Sequence, residues 1–548
     1  MNYSTGKLSF IFMLAVLLSV VGAWWVARRY RVAMRRLMSA PLAAPPPGLT
    51  PLAPPDAATR IAHTPMPVTA RDNLRAGYRL ALLLVGLSAL ISLTSAAIQL
   101  HGVMSEKFSL HKLLMLGFVQ LWPVIPCLGL LWRWSRWRVL AALVLWFALC
   151  FAVLLWRSVT PQPMQLLSYL AFEIGPPMLL AAAVCLGGAT RAVAPWLLLP
   201  MIGLVWASQT GLDLIALMIP HPPGWFLTLT GWLGAYPVMA LFTMWPWLLA
   251  WWPLKWLGRM LARAYTLGWL SELMVLFTAV WWISQAAKAL MAASDLGLGG
   301  TVLLLPLLWV PVAMAFTRRA RRANGSATGS ATSQTTGRPP TLLVLRVFQH
   351  DDRIQALFDH VIERWRLTGN TVLIAGTDLV DRTLDADDIF TFIDGQLASR
   401  FIHTPADVAA RLDAFDLAPD AEGRYRINEC YCHDSTWQQA LAALVQRSDV
   451  VLMDLRSFSA HNQGCRHELG VLAQASNVRR VVVLTDGDTD RAAAREAIQG
   501  AAPGRFVWLD SSRIDRAKRR EVLESLFVDG GEAPRQRHEP TPTTRRLQ

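Results

Sequence analysis

Residues 447–472 read Arg-Ser-Asp-Val-Val-Leu-Met-Asp-Leu-Arg-Ser-Phe-Ser-Ala-His-Asn-Gln-Gly-Cys-Arg-His-Glu-Leu-Gly-Val-Leu. A continuous apolar run, Val450–Leu455, has the length of a strand buried on both faces, which is the mark of a parallel sheet. A short polar loop follows. It opens a helix whose buried stripe is Cys465, Leu469 and Leu472 and whose second turn carries Glu468. An acid so placed sits beyond the carboxyl end of a parallel strand, where open α/β sheets hold their ligands.

The same alternation extends in both directions. Strands are expected at 341–348, 371–375, 425–432, 449–455, 479–485 and 505–509. Helices are expected at 352–367, 386–401, 405–416, 436–446, 465–476, 488–499 and 512–527. Repeated strand–helix units predict a parallel sheet covered on both faces by right-handed crossovers. The strand-end loops then share one edge, and their polar residues (Arg346, Asp351, Thr377, Asp378, Arg456, Ser457, Ser459 and Asp486) converge there.

Upstream the chain changes character. The 548 residues carry a net charge of +14, yet many of the excess bases flank long uncharged runs at 28–37, 133–138, 255–263 and 318–322. Bases so placed encode membrane orientation. No basic stripe interleaved with aromatic residues occurs in the soluble part, so nucleic-acid binding is not expected. Nine apolar runs approach the ~20 residues needed to cross a bilayer: 8–27, 79–100, 113–132, 139–156, 164–189, 196–219, 225–252, 269–293 and 296–316. The first lacks a small-x-small cleavage site and runs into Trp24-Trp25 and five arginines up to Arg36, so it reads as a signal-anchor within residues 1–38. Arg133, Arg136, Arg138, Arg191, Lys255, Arg259, Arg263 and Arg318 fall in alternate loops, and only Lys107, Lys112 and Arg157 in the others. This bias places the N-terminus outside and the C-terminal domain inside.

The organisation expected is therefore an anchor (1–38), a Pro/Ala-rich inner loop (39–78), an eight-helix transmembrane region (79–317) and a basic, Gly/Ser/Thr-rich linker (318–340). An α/β domain (341–528) and a disordered tail (529–548) follow. The linker composition predicts a domain hanging on a flexible tether. Glu173, Asp213, Glu272 and Lys288 fall in or beside spans, where charge is costly and commonly functional. An ion or ligand path would need Glu173 and Asp213 to share a polar cavity. Six scattered cysteines make no disulfide framework, and Cys430-x-Cys432-His433 matches no common zinc spacing, so no metal is expected.

The strand, the Ser457-Phe458-Ser459 loop and Cys465-x-x-Glu468-Leu469 resemble the central segment of TIR (Toll/interleukin-1 receptor) domains and their bacterial relatives. Gly464 stands where that family usually has Trp, and the stretch 377–433 is longer than the usual loop. The resemblance implies a flavodoxin-like α/β fold, related also to nucleoside 2-deoxyribosyltransferases. It further implies self-association through the domain and a bacterial inner-membrane setting. In enzymatic members the matching glutamate is essential for splitting NAD, which transfers to Glu468 as catalytic residue with NAD as substrate rather than cofactor. Departure of nicotinamide as a neutral base needs no general acid. One carboxylate suffices to stabilise the oxocarbenium-like state, while Arg346 or Arg456 would grip the pyrophosphate. A non-catalytic interaction module and a transporter with a regulatory domain are the alternatives.

Overall fold

In the computed structural model, the described residues are 5–39, 65, 67–102, 109–157, 162–185, 187–267, 269–286, 288–311, 338–346, 357–375, 386–420, 422–432, 436–512 and 515–527. Most of the 39–78 loop, most of the 318–340 linker, the tail, and Asp351, Thr377 and Asp378 lie outside them.

The apolar runs fold as helices, though fewer of them are straight than their lengths suggest. Four are continuous and long enough to cross a bilayer: α1 (Thr5–Ser39), α2 (Ala70–Gly102), α5 (Arg136–Arg157) and α8 (Gly188–Met218). Three others are bent pairs. α3 (Leu110–Gln120) meets α4 (Val124–Leu131) at 44°, and α6 (Pro163–Glu173) meets α7 (Gly175–Cys185) at 45°. α9 (Gly224–Leu233) meets α10 (Ala235–Leu249) at 109°. Pro123 and the pair Pro176-Pro177 explain the first two bends, because proline removes a helical donor and clashes with the preceding turn. Gly234, at φ +83, makes the third. The last two runs are shorter than expected: α12 (Glu272–Gln285), α13 (Lys288–Asp295) and a 3₁₀ segment, Gly299–Leu308. α11 (Trp251–Thr266), read from the sequence as loop, is an amphipathic helix exposing Trp252, Trp256 and Met260. That pattern suits a helix lying in the interface plane.

The C-terminal domain is an all-parallel sheet of seven strands: β1 (Thr341–Arg346), β2 (Asn370–Ala375), β3 (Phe401–Ile402), β4 (Ile427–Cys432), β5 (Val450–Asp454), β6 (Arg480–Thr485) and β7 (Phe506–Asp510). Their order is β3-β4-β2-β1-β5-β6-β7. The helical segment after β1 includes a π-helical turn, Phe358–Ile362, followed by α14 (Glu363–Trp365). α15 (Ala386–Ile393), α16 (Asp407–Asp413), α17 (Trp437–Arg447), α18 (Gln463–Gln474), α19 (Arg491–Ala497) and α20 (Arg516–Leu526) complete it. The cores of β1, β5 and β6 are buried, as the continuous Val/Leu runs require, whereas the edge strand β7 buries only Leu509. The stretch read from the sequence as helix 386–401 is helical only to Ile393, followed by a 3₁₀ turn, Leu397–Arg400, that leads into the two-residue β3.

Instead of hanging free, the domain is seated on the helical region. Tyr30 and Met34 of α1 belong to the same buried cluster as Leu342, Trp365 and Phe401. Asn73 of α2 donates to the Arg364 carbonyl at 2.6 Å, and Trp196 of α8 packs edge-on to Phe390. Arg259 of α11 pairs with Asp394, and Arg426 donates to the carbonyl of Tyr265 while lying 4.0 Å over its ring. At the centre Glu363 is buried among Arg133, Arg366 (3.0 Å) and Arg424 (2.8 Å). Burial alone would push its carboxyl up. The three guanidiniums outweigh that and hold it well below the usual carboxylate range.

Candidate functional site

β5 delivers Asp454 to its carboxyl end, and both Asp454 and Arg456 are buried there. A buried acid requires a partner. Arg456 supplies it with a two-pronged clamp, Nε to Oδ1 at 2.8 Å and Nη2 to Oδ2 at 2.5 Å. Ser457 then turns the chain in the left-handed region, φ +60, a conformation costing an ordinary residue ~1–2 kcal/mol. Its N–H donates to Asp486 Oδ1 at 2.9 Å from the loop after β6. The Thr489 hydroxyl lies 2.9 Å from the same Asp486 oxygen and 3.0 Å from the Leu455 carbonyl, tying the two loops together. Ser459 donates through both N–H and hydroxyl to Asn462 Oδ1, at 2.8 and 3.0 Å. Asn462 therefore holds the N-cap position of α18 with its side chain turned back into the loop rather than onto the helix.

Glu468 stands on the second turn of α18 and is only 6% exposed. Cys465, Leu469 and Leu472 are buried beside it, as the spacing predicts. Burial pushes the Cys465 thiol up to about 12, and the negative charges of Glu468 and Asp454 add to the shift. Both acids therefore lie within electrostatic reach of one sulfur, and the inner side of α18 faces the end of β5. The same shift makes Cys465 a poor nucleophile. The Trp437 indole of α17 lies 4.0 Å from where a Cβ on Gly464 would stand, and it meets the His467 ring edge-on.

Arg346 is the last residue of β1 and lies in register with Asp454, so its backbone opens the same edge. Ser457 and Ser459 share that edge but are committed to building the loop. Arg456 is clamped to Asp454 through Nε and Nη2. Asp351, Thr377 and Asp378 fall outside the described residues. Cys430 and Cys432 lie on one face of β4 with sulfurs 3.7 Å apart, and no group of three metal-binding side chains forms among the described residues. Sequence reasoning missed Asp454 and Thr489. The signal for the first was available: an acid closing an otherwise apolar strand, two residues before an arginine.

Of the ionisable residues near spans, Asp213 pairs with Lys7 at 2.9 Å, and Glu272 begins α12 next to Ser271, which bonds to Glu422 of the α/β domain. Glu173 lines a cavity among the helices, and Asp213 does not. Among the described residues the two acids are therefore not brought together by this cavity. Comparison of the chain with protein-family models, with curated proteins and with solved structures finds no match.

Proposed function

We propose that this chain is a membrane-anchored effector or signalling protein whose α/β domain, on the cytoplasmic face, cleaves the N-glycosidic bond of NAD or a related nucleotide. The observation that carries the reading is the buried carboxylate of Glu468 behind the carboxyl end of β5. Burying an acid is costly, and strand-edge clefts are where such a cost is met by function. Five strands run β2-β1-β5-β6-β7, the flavodoxin-like order, with β4 and β3 appended beyond β2. In that order the chain reverses between β1 and β5, at the ends marked by Arg346 and Asp454, which is the kind of position where open α/β sheets hold their ligands. The same order favours the TIR-like resemblance of the 447–472 segment.

In this mechanism Glu468 stabilises the positive charge that develops on the ribose as the pyridinium leaves as a neutral base. The rigid Asp454–Arg456 clamp and the Ser457–Asp486 tie hold the loop that presents α18, so the carboxylate needs no rearrangement. The pyrophosphate would lie at the carboxyl edge between β1 and β5.

The test is nicotinamide release from NAD by the full chain in lipid nanodiscs, beside Glu468→Ala. Activity that falls at least ~10²-fold in the variant supports the assignment, the scale expected for loss of a preorganised charge. Equal activity in both proteins removes Glu468 from the mechanism. A folded chain that releases nothing, alone or clustered, points to a binding module instead.

A further inference from the structure

Three helix breaks meet at one place among the spans. α3 ends at Gln120, α6 ends at Glu173 and α12 ends at Gln285. All three terminal residues line a single cavity of about 250 Å³. The last turn of a helix presents carbonyls without intrahelical partners, and its dipole end carries a fraction of a negative charge. Pro176 has no N–H to offer the Phe172 carbonyl four residues earlier, so the end of α6 is open by sequence.

The side chains point the same way. Gln120 and Gln285 are 6% and 5% exposed. Each spends its amide N–H₂ within the protein: Gln120 donates to Gln99 Oε1, and Gln285 to the Ser95 hydroxyl, both at 2.6 Å. Their carbonyl oxygens accept no hydrogen bond from the described residues. An acceptor so buried costs ~1–3 kcal/mol unless something satisfies it. Glu173 adds a carboxylate to the lining.

We propose that this cavity binds a monovalent cation, held by the Glu173 carboxylate, the Gln120 and Gln285 amide oxygens and the three half-helix C-termini. The volume admits an alkali ion with part of its water shell, or a small organic ammonium stabilised also by the rings of Phe12, Trp122 and Phe172. The proposal does not depend on the nucleotide reading of the α/β domain.

The experiment is thermal unfolding of the full chain in nanodiscs, titrated with Na⁺, K⁺ or tetramethylammonium, with N-methylglucamine holding ionic strength constant. A bound cation raises the midpoint along a saturable curve. We expect saturation in at least one arm, with half-saturation moved at least tenfold upward in Glu173→Gln and in Gln285→Leu. Asp213→Asn, outside the cavity, should keep the parent curve. Saturation by an alkali ion assigns a hydrated ion, and saturation by tetramethylammonium alone assigns an organic ammonium. No saturable arm in the parent protein, or parent-like curves in both cavity variants, overturns the proposal. Should Glu173→Gln fail to fold, Gln285→Leu carries the same test.

Discussion

Glu363→Gln isolates what seats the α/β domain on the helices. The substitution keeps the shape and removes only the charge, leaving Arg133, Arg366 and Arg424 facing one another in a buried site. Removing one partner of a buried ionic group costs ~3–5 kcal/mol, mostly through the charge left uncompensated. Three guanidiniums sharing one acid put this case at the upper end. The cost should be local to the seat, because Glu363 lies beside Trp365, in the buried cluster that also holds Tyr30 and Met34. Amide hydrogen exchange across β1 and β2 reads it directly. At about 1.4 kcal/mol per tenfold, exchange there should quicken by between roughly a hundred- and a few thousandfold. Acid should mimic the substitution. The Glu363 carboxyl is held below its unfolded value, so its contribution is complete above the ordinary carboxylate range and is lost as pH falls through its lowered folded value. Exchange that changes less than fivefold in the variant would refute the reasoning, since it would mean that water screens the cluster.

Two further outcomes follow from particular residues. Ser457 sits at φ +60. Ser457→Gly should change stability by less than ~1 kcal/mol, because relief of strain offsets the greater freedom of the unfolded chain. Ser457→Val should cost at least ~1–2 kcal/mol, since a β-branched residue resists that region. Denaturant melts of the pair check both, and equal stabilities would mean the loop is not held as described. For orientation, a cysteine replacing exposed His221 should react with an impermeant maleimide on intact cells, and one replacing Gly258 in α11 only after permeabilisation. The reverse pattern would invert the assigned topology.

The strand positions of the α/β domain were legible because two-sided burial leaves unbroken apolar runs, as in Val450–Leu455 and Val481–Leu484. The short β3 was not, because two residues carry no periodicity and Phe401 and Ile402 read equally well as the end of a helix. The buried stripe of α18 was visible in its spacing, whereas the Asp454–Arg456 clamp was hidden because local charges look alike until burial sorts them. Among the helices, composition gave apolar runs but could not weigh a break against a bend. Pro123 and Pro176 marked two breaks, and nothing comparable marked the end of α12 at Gln285. The seating of the domain was hidden for a different reason. Linker composition describes the linker alone, while Arg133, Tyr265 and Glu363 meet only in three dimensions.

The seating of the domain also constrains orientation without counting spans. Tyr30, Asn73, Arg133, Trp196, Arg259 and Tyr265 all touch the domain or belong to its buried surroundings, and they come from five separate segments. Those segments therefore share the domain end of the helical region. Lys7, at the far end of α1, pairs with Asp213, near the far end of α8, and so fixes the opposite side. From Lys7 to Tyr30 α1 rises ~35 Å at ~1.5 Å per residue, a little more than the ~30 Å of hydrocarbon. One helix, long and apolar enough to cross a bilayer, thus joins the far end to the domain, so the count of bent spans does not move the domain relative to Lys7. What charge must then decide is only which side is inner. Arg28, Arg29, Arg31, Arg35 and Arg36 all sit at the domain end of α1, which agrees with the cytoplasmic side proposed for the domain.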